Sequence, residues 1–114
     1  MTDTDCLFCK IVAGEIPADV VASTDRALAF RDIDPKAPVH VLVVPREHHR
    51  DVAALAASDP QLLADVVALG QQVASDLDEG EFRLIFNTGA RSGQSVFHTH
   101  GHVLAGTRLG WTPA

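Results

Sequence analysis

The sequence has 114 residues, of which 46% are hydrophobic and 21% are charged, and its formal net charge at pH 7 is −6. This length suits a single domain covering residues 1–114, and the apolar fraction excludes a mainly disordered chain. The acidic charge disfavours nucleic acid polymers, whose phosphates it would repel. The N-terminus does not resemble a secretory signal, and no apolar run reaches the roughly 18 residues of a membrane span. We therefore expect a cytoplasmic protein without membrane attachment.

The first half of the chain predicts a short helix followed by three strands. The helix covers residues 6–13, and Gly14 and Pro17 end it. The predicted strands are Val20–Ser23, Ala27–Asp32 and Val39–Val44. The third strand follows a proline-containing loop at residues 34–38 and is apolar on both faces, which indicates a central position in a sheet.

The second half predicts a long helix followed by two more strands. Residues 52–57 form a helical turn, and Ser58 and Gln61 are spaced as a capping box around Pro60. Apolar residues then repeat every three or four positions from Leu62 to Leu77, as in an amphipathic helix. The predicted strands are Phe82–Phe86 and Val96–Leu104, separated by a glycine-containing loop, Asn87–Ser95. This order predicts an α+β fold with a mainly antiparallel five-stranded sheet, one long helix and a short N-terminal helix.

Three alternating histidines, His98, His100 and His102, lie in the last predicted strand. Because alternate strand residues share a face, this strand would present three imidazoles together. Such an array suits a metal ion, proton transfer or nucleophilic attack. Upstream, Gly89 and Gly93 let backbone amides approach an anion, and the same loop adds polar side chains. The combination favours a phosphate ligand.

Segment Gln94–Leu104 resembles the signature of the histidine triad (HIT) superfamily, in which three alternating histidines precede apolar residues. Three further segments are similar to the histidine triad nucleotide-binding (Hint) branch: Cys6–Pro17, Ala29–Pro45 and Asn87–Gly89. The tail, with Trp111 and Pro113, resembles the tail of that branch. The similarity covers essentially the whole chain.

This resemblance implies binding of purine nucleoside monophosphates and cleavage of their phosphoramidates or related esters at the α-phosphate. His100 would be the nucleophile and would form a transient nucleotidyl-histidine. His102 and Asn87 would contact phosphate oxygens, Ser95 would lie near the leaving group, and His98 would complete the catalytic set. The remaining nucleotide-binding residues implied are Gly93 and Gln94 at the phosphate, Asp32 at the ribose, and Phe8, Ile11, Phe30 and Ile33 around the base.

The cysteines indicate a variant of the family with a structural zinc ion. Cys6 and Cys9 supply two of the four ligands of a tetrahedral site. The resemblance implies His48 and His98 as the other two, although the sequence leaves His49 as an alternative to His48. Such a site would tie the N-terminal helix to the sheet. Two free thiols are the simpler alternative.

The resemblance also implies a homodimer, with the long helix and the last strands at a two-fold interface. Two other functions remain open on sequence. One is a nucleotide-sensing binding module that acts through a protein partner with little catalysis. The other is a metallohydrolase that uses all three triad histidines as ligands.

Overall fold

The computed structural model describes residues 5–111, and its five strands form one antiparallel sheet in the order β1-β2-β3-β5-β4. The strands are β1 (Val20–Ser23), β2 (Ala27–Arg31), β3 (Val39–Pro45), β4 (Arg83–Phe86) and β5 (Gly101–Ala105). The helices are α1 (Leu7–Val12), α2 (Val52–Ser58) and α3 (Pro60–Leu77). The predicted α+β fold is confirmed, and the ends of β1 to β4 agree with the sequence prediction within one residue.

The central strand β3 is buried along its whole length because both faces of the sheet are covered. On one face, Val41 and Val43 pack with Val66 and Leu69 of α3. On the other face, Leu42 and Val44 pack in a cluster with residues of α1 and β2. The continuous apolar run of this strand therefore reflects two covered faces, as the sequence predicts.

Helix α3 buries the apolar stripe that faces the sheet, but its cap differs from the prediction. Asp59 is the N-cap, and its side chain accepts a hydrogen bond from the backbone N–H of Leu62. The predicted capping box of Ser58 and Gln61 is wrong, because Ser58 is the last residue of α2 and Gln61 donates to Asp65 instead. A carboxylate directly before the helix is as good an N-cap as a serine.

The last strand is shorter than predicted, since β5 begins at Gly101 and residues 96–100 form bends and irregular backbone. The predicted strand Val96–Leu104 is therefore wrong in its first half. The backbone N–H of Thr99 donates to His49 O outside the sheet, at 2.7 Å, which holds this segment away from a strand ladder. Of the three triad histidines, only His102 lies in a strand.

The outer side of α3 leaves Val67 and Leu77 more than a third exposed. Those side chains are consistent with the predicted dimer, which stays a prediction. In the tail, Trp111 is 93% exposed, while Pro113 lies outside the described residues. Within residues 5–111, no helix has the length and apolar character needed to cross a membrane.

Candidate active site

Two adjoining clefts on the α1 side of the sheet collect most of the predicted site residues. The larger has a volume of about 680 Å³ and the smaller about 330 Å³. Asp32, Ser95 and His102 line both clefts and mark where they join. The larger cleft is further lined by His100 and by all four predicted base-wall residues, Phe8, Ile11, Phe30 and Ile33. The smaller is further lined by Asn87, Gly93 and His40.

The walls of the larger cleft differ in how firmly they are held. Phe8 and Phe30 are at most 5% exposed, and their rings meet edge to face with centroids 5.6 Å apart. Phe8 also contacts the His100 ring edge to face at 5.0 Å. Ile33 is fully exposed at the rim. The cleft therefore has a rigid aromatic floor and an apolar rim, which suits a flat heteroaromatic ring.

The loop between β4 and the triad depends on two glycines with positive φ angles. Gly89 has φ 89° and Gly93 has φ 102°, and a short 3₁₀ turn, Ala90–Ser92, connects them. A Cβ atom added at Gly93 would lie 3.8 Å from Asn87 Nδ2. The side-chain amide of Asn87 therefore lies beside the backbone of the loop at Gly93. The side chain of Gln94 is 4% exposed and is hydrogen-bonded within the protein. Gln94 lines neither cleft.

A backbone carbonyl decides which ring nitrogen of His100 carries the proton and which is free. Its Nδ1 lies 2.8 Å from His98 O, and because a carbonyl only accepts, Nδ1 carries the proton. The lone pair of Nε2 is then available for attack. Burial lowers the pKa of His100, which keeps the ring neutral at pH 7. His100 is therefore held in the tautomer and charge state of a nucleophile.

His102 has the opposite tautomer because of a histidine that the sequence analysis did not assign. The backbone N–H of Lys36 donates to His40 Nδ1 at 2.9 Å, so the proton of neutral His40 is on Nε2. That Nε2 lies 2.9 Å from His102 Nδ1 and 3.3 Å from Asp32 Oδ2. Since Nδ1 of His102 accepts, its Nε2–H is left to donate. The one signal for His40 in the sequence is a polar residue within an otherwise apolar strand.

Burial and neighbouring imidazoles together lower the histidine pKa values at the site. Burial is the largest cause for His102, followed by the nearby rings of His100 and His40, and its pKa falls to about 4. Burial is also the main cause of the lowered pKa of His40, and Asp32 opposes it. The rings of His40, His100 and His102 are consequently uncharged at neutral pH, as the directions of their hydrogen bonds require.

We expect these shifts to make the protein less stable in mild acid. The unfolded His102 titrates near 6.5 and the folded one near 4, so the unfolded state binds the proton first as the pH falls. The free energy of unfolding should be unchanged above pH 6.5 and should fall by roughly 2 kcal/mol as the pH drops from 6.5 to about 4. The partial exposure of the His102 ring limits this loss. Urea unfolding of the parent and His102→Gln across this range tests it. Equal pH slopes would contradict it.

The side chain of His98 faces away from the clefts, toward the cysteines. Its Nδ1 lies 3.4 Å from Cys6 Sγ and 3.5 Å from Cys9 Sγ, and its Nε2 donates to Pro45 O at 2.8 Å. His48 Nδ1 lies 3.4 Å from Cys9 Sγ. Tetrahedral zinc with ordinary bond lengths separates its sulfur and nitrogen ligands by about 3.5 Å. The donor set therefore fits a zinc ion.

The four metal-ligand atoms of Cys6, Cys9, His48 and His98 all lie within 4.8 Å of one another. His49, the alternative on sequence, turns its Nε2 to Glu47 at 2.7 Å instead. Because His98 serves this cluster, it cannot share an ion with His100 and His102, so the geometry does not support the metallohydrolase alternative. Asp32, His40 and His102 also lie close together, but the Nε2 proton of His40 occupies the position a metal would need.

Comparison with known proteins identifies a family whose members share this sequence and fold. The model of the HIT domain family matches residues 13–109. An uncharacterized HIT-like protein of Synechocystis is 44% identical over 110 residues, covering 96% of both chains. A HIT family hydrolase from Clostridium thermocellum has a TM-score of 0.91 at 42% identity, covering 97% of this chain and 98% of its own. A histidine triad protein from Clostridium difficile has a TM-score of 0.92 at 38% identity, covering 99% and 100%.

Proposed function

The chain belongs to the HIT domain family, and we propose that it is a nucleotidyl hydrolase that cleaves purine nucleoside phosphoramidates or related esters at the α-phosphate. The observation that carries this proposal is the hydrogen bond from His100 Nδ1 to His98 O. This bond leaves Nε2 without a proton, so its lone pair is available to attack phosphorus. The description of the Clostridium thermocellum relative as a hydrolase supports the reaction class.

In the proposed complex, the purine lies in the larger cleft between Phe8, Phe30 and Ile33, with Ile11 at its side. Asp32 lies where the two clefts join and accepts hydrogen bonds from the ribose hydroxyls. The α-phosphate is then placed beside His100 and His102, within reach of Asn87, Ser95 and the amides of the glycine loop. This placement follows from the apolar character of one cleft and the polar donors of the other.

The reaction has two displacements at phosphorus. In the first, His100 Nε2 forms a bond to phosphorus while the bond to the leaving amine breaks, and the amine takes up a proton from solvent water. In the second, water attacks phosphorus and releases a proton to the solvent, the bond to Nε2 breaks, and the nucleoside monophosphate leaves. Two steps with a good imidazole leaving group each have a lower barrier than one direct hydrolysis.

The neighbouring groups stabilise the charge that develops on the phosphoryl oxygens. His102 presents Nε2–H to the phosphate, because His40 fixes its Nδ1 as an acceptor. Ser95 lines both clefts and can hydrogen-bond the leaving group. Fixed donors of this kind usually contribute the largest share of the rate enhancement in phosphoryl transfer.

Zinc, when bound, would be held by Cys6, Cys9, His48 and His98 and would contribute structure rather than catalysis, because four protein ligands leave no open position. The ligands join α1, the segment after β3 and the triad. We propose that the site fixes the floor of the larger cleft, since Phe8 lies between the two cysteines in sequence and contacts His100 in space.

The decisive experiment is intact-protein mass spectrometry after brief mixing with an adenosine phosphoramidate. Denaturation must be at neutral or basic pH, because phosphohistidine linkages are acid-labile. We expect a transient adenylate adduct that maps to His100, and the native spectrum should show a dimer with one zinc ion per chain. Bound AMP with no adduct and no turnover would favour the nucleotide-sensing module instead.

A further inference from the structure

The last residue of β3 and the five residues after it, Pro45–Arg50, form a segment that supports the triad through its backbone. We call it the 45–50 segment. Its carbonyl groups accept four hydrogen bonds from residues 94–99, which include the end of the glycine loop. The pairs are His98 Nε2 to Pro45 O at 2.8 Å, Thr99 N and Oγ1 to His49 O at 2.7 and 2.9 Å, and Gln94 Nε2 to Arg50 O at 2.8 Å.

Gln94 joins this segment to both ends of the loop. Its Oε1 accepts from the backbone N–H of Gly89 at 2.8 Å, and its Nε2 donates to Val96 O as well as to Arg50 O. Gln94 is 4% exposed and Thr99 is 1% exposed. Because their polar atoms are engaged inside the protein, these side chains do not contact a ligand themselves. Gln94 holds the loop backbone directly at Gly89, whereas Thr99 holds His49 O of the 45–50 segment.

The 45–50 segment also carries one of the metal ligands. His48 Nδ1 lies 3.4 Å from Cys9 Sγ. At the end of the segment, the Arg50 guanidinium lies over the Phe97 ring, 5.1 Å from its centroid. Arg46 fixes the start of the segment to the β1–β2 turn, because its backbone N–H donates to Arg26 O and its Nε donates to Thr24 O, both at 2.9 Å. The residues after Arg46 are held by the Cys/His cluster on one side and by Gln94 and Thr99 on the other.

We propose that Gln94 and Thr99 are positioning residues that couple occupancy of the Cys/His cluster to the affinity of the loop for a nucleotide phosphate. A bound metal holds His48, His48 holds the 45–50 segment, and the carbonyls of that segment hold the loop amides in place. Coupling between two binding sites is reciprocal, so the phosphate must also stabilise the metal. This inference rests on the proposed function, since it assumes that the loop binds a phosphate.

The first test compares AMP with adenosine by calorimetry on the zinc-loaded protein. Gln94→Leu should weaken AMP binding about tenfold, because several buried hydrogen bonds that order the loop are lost. Thr99→Val, which removes one bond and keeps the shape, should weaken it about threefold. Adenosine should bind unchanged to both variants, because the base and ribose contact α1, β2 and Asp32. A general loss of structure would weaken both ligands.

Thr24→Val is the matched control for Thr99→Val. The Thr24 hydroxyl accepts from the backbone N–H groups of Arg26 and Ala27 in the β1–β2 turn, away from the clefts, and the substitution keeps Thr24 O, which accepts from Arg46 Nε. Thr24→Val should leave the ratio of AMP to adenosine affinity unchanged. If it lowers that ratio as much as Thr99→Val does, the effect is one of stability and the inference is wrong.

The second test measures zinc release to a colorimetric chelator and does not involve turnover. AMP should slow release severalfold in the parent, adenosine should not, and Gln94→Leu should abolish the effect of AMP. If AMP binds well but leaves zinc release unchanged, the coupling is wrong and the proposed function stands. If AMP binds no better than adenosine, the proposed function fails and the coupling fails with it. A parent chain that takes up no zinc also overturns the coupling.

Discussion

The His100→Gly variant is expected to lose turnover of an adenosine phosphoramidate by at least about 10⁴-fold, because no other cleft residue within 5–111 presents a free imidazole lone pair to form the covalent intermediate. His100 is the triad ring whose Nε2 lone pair is free, whereas His102 is held as an Nε2–H donor and His98 faces the cysteines. AMP affinity should change only a few fold, since the phosphate donors and the base walls remain. Steady-state kinetics and calorimetry on one preparation measure both quantities.

Two controls make this expectation specific to the nucleophile. Added imidazole should restore part of the activity of His100→Gly, because a free ring can enter the space that the side chain leaves. His49→Gln replaces a histidine whose Nε2 contacts Glu47, and we expect parental activity from it. Parental turnover by His100→Gly would end the nucleophile assignment. Equal loss in His49→Gln would show that the decrease arises from folding.

The second large effect is expected from removal of the metal ligands. Cys6→Ser combined with Cys9→Ser should lower the free energy of unfolding by at least about 3 kcal/mol and the melting temperature by more than about 10 °C, because zinc binding contributes directly to folding. Both cysteines are buried, and they connect α1 to the 45–50 segment and to the triad. The chemical rate at saturating substrate should fall much less. Thermal unfolding with and without a chelator measures the stability.

Matched histidine variants locate the fourth ligand in the same experiment. His48→Gln should lose zinc and become insensitive to the chelator, whereas His49→Gln should keep both the zinc and the response. A chelator that leaves the melting temperature of the parent unchanged would contradict the structural zinc. A chelator that abolishes activity without lowering stability would instead indicate a catalytic metal.

Most of the fold was predictable from local patterns. The apolar run of β3 predicts a central strand, and the three- and four-residue spacing from Leu62 predicts α3, because each pattern reflects burial of particular faces. The two errors, the first half of the last strand and the α3 cap, have another origin. In each case, the sequence was compatible with two different local structures. For the last strand, the choice was made by a contact distant in sequence, between Thr99 and His49.

The sequence by itself determined which residues are chemically special: the triad, the glycine loop and the cysteine pair are recognisable by residue type and spacing. Only the tertiary structure decided which chemical role each of the three triad histidines has. Whether an imidazole nitrogen donates, accepts, binds a metal or attacks phosphorus depends on the group opposite it. For His98, His100 and His102 those groups are Pro45 O, His98 O and His40. Two of these three partners come from a strand 50 or more residues earlier, which no local pattern can specify.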